Sequence, residues 1–489
     1  MSAQTVRYNR LATQGVWLWL GKSNVAALVV ALIIIIASIN STGILGLIIT
    51  APLWGFLTFA GLRTKFGVPL PVLLWRELMF QLRRSAKATK HLSRPEKAPV
   101  VAALGRLNLP GQTSYLQLWE TPHGVNVVFD PQLQTASITC MLYGADFLAA
   151  SQPDKDVLVE SWARVKGAWT LNEFIERISV LERTAPGSVE SARTYYRTHA
   201  TADMPELRES YEESLASAEA QVTRHRTQVT VTFNTRTARE AIKAHGGGKV
   251  GLLAFIELQI AATESSLQQC GFVNLEWMNS RVWAGTGRAI LDPEYAPVLE
   301  MRDGTDLAGV DPLAVGPMSF EEHRTYVIAD SGFHRTFWIH EWPRHEAHPG
   351  FTQNVVFATM PDGRAVRHIL NIVEAPVLMR VALKRIAEAK KSWRVNETAR
   401  IKIGRESSAA DHAEWDELVA QDAALASGRG EYRFSGYLTV SAMSLLELDA
   451  ASMAMRSALS NAGLEPQILY AQQAEALMLN AYPSGRGMK

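Results

Sequence analysis

Cysteine is almost missing from this chain of 489 residues: Cys140 and Cys270 are the two present. Set far apart and in no metal-type spacing, they exclude a disulfide framework and a cysteine zinc site, and each reads as a small buried hydrophobe in a reducing compartment. A phosphate loop is also missing. Gly15 stands one residue too far from Gly21-Lys22-Ser23, and Gly246-Gly247-Gly248-Lys249 lacks both the leading glycine and the hydroxyl residue that a nucleotide cradle requires. Excess charge is missing too: a net charge of +1 exerts no global pull toward nucleic acid. No basic and aromatic platform for stacking bases and no coiled-coil heptad stands out. The histidines gather at His334, His340, His345 and His348, but His340-Glu341 is followed by one residue too many for a zinc-protease helix and Pro343 would break that helix. They read as surface histidines of a strand and its loop. No Ser/His/Asp or Cys/His arrangement appears, so no catalytic, cofactor or metal residues are assigned, and the expectation is a protein that is not an enzyme.

The most informative absence is local. From Val25 to Leu62, 38 residues carry no charged side chain. This is too long for one span of roughly 20 residues and suits two short spans, with Asn40-Ser41-Thr42-Gly43 as the turn. Nine basic residues then follow before Pro99, from Arg63 and Lys65 to Arg94 and Lys97, against two acidic ones. Short basic flanks stay on the cytoplasmic face, which places both termini and the main body inside the cell, with the chain multi-pass in the plasma membrane. Val72, Trp75, Leu78, Met79 and Leu82 fall at helical spacing with Arg76, Arg83 and Arg84 offset, the pattern of a helix lying along the inner leaflet or of an ordinary amphipathic helix packed on the main body. Lys22, Arg63, Lys65, Arg76, Arg83 and Arg84 are the candidate membrane-interface residues.

The remainder reads as mixed strands and helices. Tyr115–Trp119, Val125–Phe129 and Ala136–Leu142 alternate as a strand meander, Asp154–Trp169 is an amphipathic helix, Ile178–Arg183 a strand and Pro205–Gln221 a long helix. Two later stretches share one order of strand, helix, glycine, strand, helix: Gln228–Phe233 through Gly271 to Leu291, and Phe434–Val440 through Gly463 to Leu479. They suggest a duplicated split β-α-β unit whose second strand returns beside the first. Thr325–Ile328 and Thr336–Glu341 pair around Asp330-Ser331-Gly332, and a basic helix over Ala375–Ala399 with an acidic partner over Asp411–Ala426 forms an αα-hairpin.

The expected fold is therefore a membrane-anchored α+β protein. A cytoplasmic segment 1–24 precedes a two-helix transmembrane hairpin at 25–62 and a basic amphipathic segment at 63–98. Two α+β cytosolic units follow at 99–300 and 301–489, containing split β-α-β (ferredoxin-like) units and a helical hairpin at about 375–426.

Residues Val25 to Arg84, with Arg63-Thr64-Lys65-Phe66-Gly67-Val68-Pro69-Leu70, resemble the small two-span membrane proteins that accompany Gram-positive conjugation ATPases. The rest resembles the non-motor N-terminal region of type IV secretion and conjugation ATPases. This likeness is carried by Phe337-Trp338-Ile339-His340-Glu341-Trp342-Pro343-Arg344, by Leu469-Tyr470-Ala471-Gln472-Gln473-Ala474-Glu475-Ala476-Leu477 and by Tyr482-Pro483-Ser484-Gly485-Arg486-Gly487. The resemblance implies a bacterial membrane-anchored adaptor in DNA transfer, with the motor domain supplied by a separate phosphate-loop ATPase. Expected partners are that ATPase, the inner leaflet, other secretion membrane proteins and further copies of the chain. Tyr482, Pro483 and Arg486 are its candidate partner contacts, because a motor would continue from there. The other readings are a scaffold of a different export machine, of type VII-like kind, and a membrane-tethered enzyme or sensor.

Overall fold

The computed structural model describes residues 22–65, 68–93, 106–143, 150–187, 189–199, 205–219, 222–269, 271–272, 274–302, 305, 307–343, 347–402 and 409–488. Segment 1–21, Arg94, Lys97, Cys270 and His345 lie outside the described residues, as do the side chains of Lys22 and Lys65.

The chain opens with the long apolar helix α1 (Lys22–Leu62). Its most apolar window has a mean hydropathy of 2.5 with 11% of it buried, and Ile44, Leu45, Ile48 and Ile49 are exposed. Gly43, at φ 63° and ψ −142°, breaks the helical path, a conformation glycine adopts without a Cβ penalty. The stretches on either side of it touch. The Ser38 and Thr50 hydroxyls lie 2.9 Å apart, and Gly61 rests against the Leu28 side chain and the Asn24 carbonyl, the small-residue contact that lets apolar helices approach.

A two-strand ribbon, β1 (Thr64–Lys65) with β2 (Val68–Pro69), reverses the chain into α2 (Leu70–Ser85) and β3 (Lys90–Leu92). Strands β4 (Gln117–Glu120) and β5 (Asn126–Asp130) follow. The next stretch runs β6 (Thr135–Tyr143), α3 (Gln152–Trp169), β7 (Ile175–Pro186), α4 (Glu190–His199), α5 (Pro205–Glu219), β8 (Thr223–Asn234), α6 (Arg239–Ala244), α7 (Gly248–Gln269) and β9 (Asn274–Trp277). Helices α8 (Ser280–Leu291) and α9 (Ala296–Glu300) lead to β10 (Ser319–Glu322) and β11 (Val327–Ala329). The last stretch runs β12 (Gly332–Glu341), α10 (Gln353–Val356), β13 (His368–Val377), α11 (Met379–Lys402), α12 (Ala409–Ala426), β14 (Glu431–Ala442), α13 (Leu445–Asn461), β15 (Glu465–Ile468) and α14 (Gln473–Ala476).

Thirteen of these strands form one antiparallel sheet in the order β3-β10-β11-β12-β14-β13-β7-β8-β6-β5-β4, with β15 added to β12 and β9 to β6. Two halves therefore repeat one order, β7-β8-β6-β9 and β13-β14-β12-β15, and meet where β7 pairs with β13 from Ile178↔Glu374 to Thr184↔His368. In each half a pair of helices joins the second strand to the third. The return strand lands beside the first strand of its half, β9 on β6 and β15 on β12, and not beside the strand that precedes it, as the sequence pattern implied. The reason is that β6 and β12 already occupy the neighbouring position. Strand β13 continues through Ala375 to Val377 paired with β14 and takes residues expected to open the basic helix. Sheet pairing outweighs their helical spacing.

Alternation sets the two faces of the sheet. On β6, Ala136, Ile138 and Cys140 join Val229, Val231 and Phe233 under Leu252, Phe255 and Ile256 of α7. On β12 and β14, Phe337, Ile339, Leu438 and Val440 join Leu448, Met455 and Leu459 of α13. The apolar face of α7 is thus spent on the sheet, although its composition alone is apolar enough for a membrane span. The other face of the sheet is hydroxyl-rich and also buried: Ser137 pairs with Thr232 at 3.0 Å, Thr139 with Thr230 at 2.9 Å and Thr336 with Thr439 at 2.9 Å. The C-terminal residues 469–488 cross this face. Gln473 binds both backbone groups of Thr336, at 2.8 and 3.0 Å. Asn371 at the seam donates to the Asn480 carbonyl at 2.6 Å. Arg486 forms a buried ion pair with Asp130 and donates to Gln132 at 2.8 Å. Tyr482 packs edge-on to Trp283, whose indole N–H donates to the Pro483 carbonyl at 2.7 Å. Gly287 in α8 lies directly under the Tyr482 ring, where a Cβ would collide.

His334 is not a surface residue. It is 1% exposed on β12 and bonded to Ser441 at 2.8 Å, and His368 is equally buried on β13. Burial pushes both imidazoles down to about 4. Because the folded value lies below the ordinary 6.5, the fold favours neutral histidine, and this contribution is complete above 6.5 and lost as pH falls toward 4. The thermal midpoint is expected to drop across that window, each histidine adding a slope of up to about 1.4 kcal/mol per pH unit. A His334→Asn, His368→Asn variant should show a flatter profile, and an unchanged profile would contradict this origin. Independently, Gly287→Ala should cost about 1–3 kcal/mol by overpacking and increase hydrogen exchange across residues 477–486.

Candidate functional site: the junction of the apolar helix and the sheet

Helix α2 links the apolar helix to the sheet, and its sequence prepares two working faces. Pro69 and Pro71 set its first turn, and the Leu70 N–H returns to the Arg63 carbonyl at 3.0 Å, which holds α2 against the end of α1. Leu74, Trp75, Leu78 and Leu82 lie on one side and are 41–61% exposed. On the other side, Glu77, Phe80 and Arg83 dock onto β10, the loop to β11 and the C-terminal segment.

Phe80 is 2% exposed and sits between two guanidinium groups, Arg324 at 5.7 Å and Arg83 at 5.9 Å from its ring. Arg324 grips Glu77 at 2.7 and 3.0 Å, and this hydrogen-bonded pair holds the Glu77 carboxyl below its ordinary value. Arg83 donates to Glu322 and to the Ala471 carbonyl, both at 2.8 Å. The Glu322 side chain is 1% exposed, and its second oxygen accepts from the Ala474 N–H at 3.1 Å. Burial pushes the Glu322 carboxyl up, with Arg83 opposing. One carboxylate thus ties α2 to the segment that crosses the sheet. The edge strand β3 completes the joint by pairing with β10 from Lys90↔Glu321 to Leu92↔Ser319.

The residues expected at the membrane surface separate. Arg63 is exposed at the end of α1, 5.4 Å from the Phe59 ring, and Arg84 is exposed on α2. Arg83 faces the body, as just described. Arg76 is half-buried, its guanidinium pulled down by burial and opposed by Glu475. Arg83 is a structural tie, because α2 must satisfy a protein surface as well as present an apolar one. Tyr482, Pro483 and Arg486 are all buried. Their side chains hold the C-terminal segment on the sheet and are not a docking surface. The partners of the joint, Glu322 and Arg324, lie some 240 residues away in sequence and carry no local signal. Glu77 carried one, as one of the two acidic residues in the basic segment.

A second cluster brings one nitrogen of His340 and carboxylate oxygens of Glu341 and Glu465 within 4.8 Å of one another where β12 meets β15. This donor set suits a divalent cation. Compared with known proteins, the chain matches no family model, and no curated protein sequence aligns with it significantly.

Arg83→Ala leaves the buried Glu322 without its cation, at a cost of about 1–3 kcal/mol. The Glu322 value is raised in the fold, so its contribution is complete below the ordinary carboxylate range and lost as pH rises through the raised value. The thermal midpoint of Arg83→Ala is therefore expected to fall further below wild type at neutral than at mildly acidic pH, and Glu322→Gln in the same chain should restore it. A deficit independent of pH would assign the loss to packing.

Proposed function

We propose that this chain is a membrane-anchored adaptor of a conjugation or type IV secretion-like apparatus, holding a phosphate-loop ATPase at the cytoplasmic face. The observation that carries the reading is the exposed apolar α1 joined by salt bridges and a shared edge strand to a large folded body. In this reading α1 is a two-span hairpin turned at Gly43, which the contacts of Ser38 with Thr50 and of Gly61 with Asn24 and Leu28 support. Both ends then lie on one side, and the basic flanks place that side in the cytoplasm. The backbone polar groups in the interior of a helix are satisfied within it, which suits such a hairpin to hydrocarbon. The exposed stripe Leu74, Trp75, Leu78 and Leu82 of α2 lies in the interface.

The two repeated strand orders support a pair of ferredoxin-like units joined edge to edge into one rigid platform. A machine that moves DNA or protein through a membrane pushes back on its mount. A joint made of a half-buried ion pair, a bidentate Arg–carboxylate pair and strand pairing transmits that force without hinging. In this reading ATP hydrolysis belongs to the partner.

The test has two arms. The chain should stay with membranes through alkaline carbonate extraction, and protease added outside intact spheroplasts should leave the body uncut. Purified whole from native membranes in mild detergent, it should bring down a phosphate-loop ATPase identified by mass spectrometry. Cleavage of the body from outside would refute the topology. An eluate free of any such ATPase would remove the docking role and favour a scaffold of another export machine.

A further inference from the structure

A bulge at the end of β12 brings together side chains that a regular strand would separate. Across from β12, Pro466 of β15 faces Ile339 and Glu465 faces Glu341, so His340 is an extra residue with no opposite number on β15. Successive residues of a regular strand point to opposite faces, and a bulge re-aims one of them. Here one nitrogen of His340 and one carboxylate oxygen each of Glu341 and Glu465 lie within 4.8 Å of one another. The His340 Nε2 stands 3.9 Å from the Glu341 carboxylate, beyond hydrogen-bond reach. Trp338 packs edge-on to the imidazole, ring centroids 5.7 Å apart, and fixes its plane. All three donors are open to solvent: the His340 and Glu341 side chains are 25% and 36% exposed, and Glu465 is exposed.

The register also sets two carboxylates directly opposite each other, Glu341 and Glu465, and like charges so placed destabilise an antiparallel pair. A divalent cation among the three donors turns that repulsion into attraction. Zinc takes nitrogen and oxygen ligands at about 2.0–2.2 Å, so two ligands of one tetrahedral ion stand about 3.4 Å apart, a small side-chain rotation from the separations seen. We propose that His340, Glu341 and Glu465 bind one zinc ion that clasps β15 to β12. The imidazole selects zinc over magnesium and calcium, which take oxygen ligands. Three protein ligands leave a fourth position for water or for a ligand from a partner. The clasp sits at the start of the strand that leads into residues 469–488, so it secures the entry of the segment that crosses the sheet and meets Arg83. It is independent of the membrane-anchored reading.

The full chain, purified in mild detergent and stripped of metal with a chelator, is titrated with zinc while its thermal midpoint and hydrogen exchange are followed. Wild type should bind zinc, rise in midpoint by mass action and exchange more slowly across residues 465–468. Loss of even an outer-shell partner weakens a metal site about 10–100-fold, so His340→Gln and Glu465→Gln should each weaken zinc binding at least about tenfold. Glu465→Gln also removes one of the two facing charges. Its metal-free midpoint should therefore stand above that of metal-free wild type, with the zinc-induced rise gone, a reversal that a purely structural glutamate would not give. Cobalt in place of zinc should produce a visible absorption band that His340→Gln alters, reporting the nitrogen ligand. Glu388→Gln on α11 should change none of these. Absence of any zinc response in wild type would overturn the proposal. So would a response that both variants keep, which would place the metal elsewhere, or an equal response to calcium and magnesium, which would leave the imidazole without a role.

Discussion

The fold depends on a buried polar face. A sheet whose inner side carries Ser137, Thr139, Thr230, Thr232, Thr336 and Thr439 cannot be closed by ordinary apolar helices, because each hydroxyl and amide removed from water must find a partner. The hydroxyls pair with one another across the strands, and the C-terminal segment adds further partners from one half of the sheet to the other. Gln473 satisfies the backbone of one half, Asn480 meets Asn371 at the seam, and Arg486 ends in the carboxylate of Asp130 on the other half. The seam itself is one antiparallel pairing of β7 with β13. With the segment bound across it, separation of the halves would expose a buried ion pair and a row of hydroxyls, so the platform moves as one piece.

The same segment reaches α2, which carries the apolar helix. Its Ala471 carbonyl and Ala474 N–H converge with Arg83 on Glu322, so the element that locks the two halves also locks α2. The apolar helix is thus connected through α2 and β3 to the sheet edge, and from there across the hydroxyl face to the far half. A buried carboxylate with its cation half in solvent is sensitive to loss of either partner, and this makes the joint a place where local chemistry sets the rigidity of the whole molecule.

The two faces of α2 show why such a joint hides from a one-dimensional reading. Helical spacing identified one apolar stripe and assigned the arginines to the membrane as a group. In three dimensions Arg84 remains outside while Arg83, its neighbour, turns inward to Glu322. Adjacent helical positions point about 100° apart, so the two side chains meet different environments, and which environment a given arginine meets depends on a strand some 240 residues later.

Local patterns determined a good deal without help: the uncharged stretch and its glycine break, the strand meander at β4–β6, the helix at Ser280–Leu291, the pair of helices that became α11 and α12, and the repeated order of the two halves. These rest on hydrophobic periodicity and turn chemistry within a few residues of each position, which the chain encodes directly. Tertiary structure alone decided which strands are neighbours, that Ala375 continues β13, that His334 is buried, and that Tyr482, Pro483 and Arg486 seal the sheet from within. Those outcomes depend on which distant residue completes a buried polar contact, and such a residue is selected by the closed fold and by no feature of its sequence neighbours.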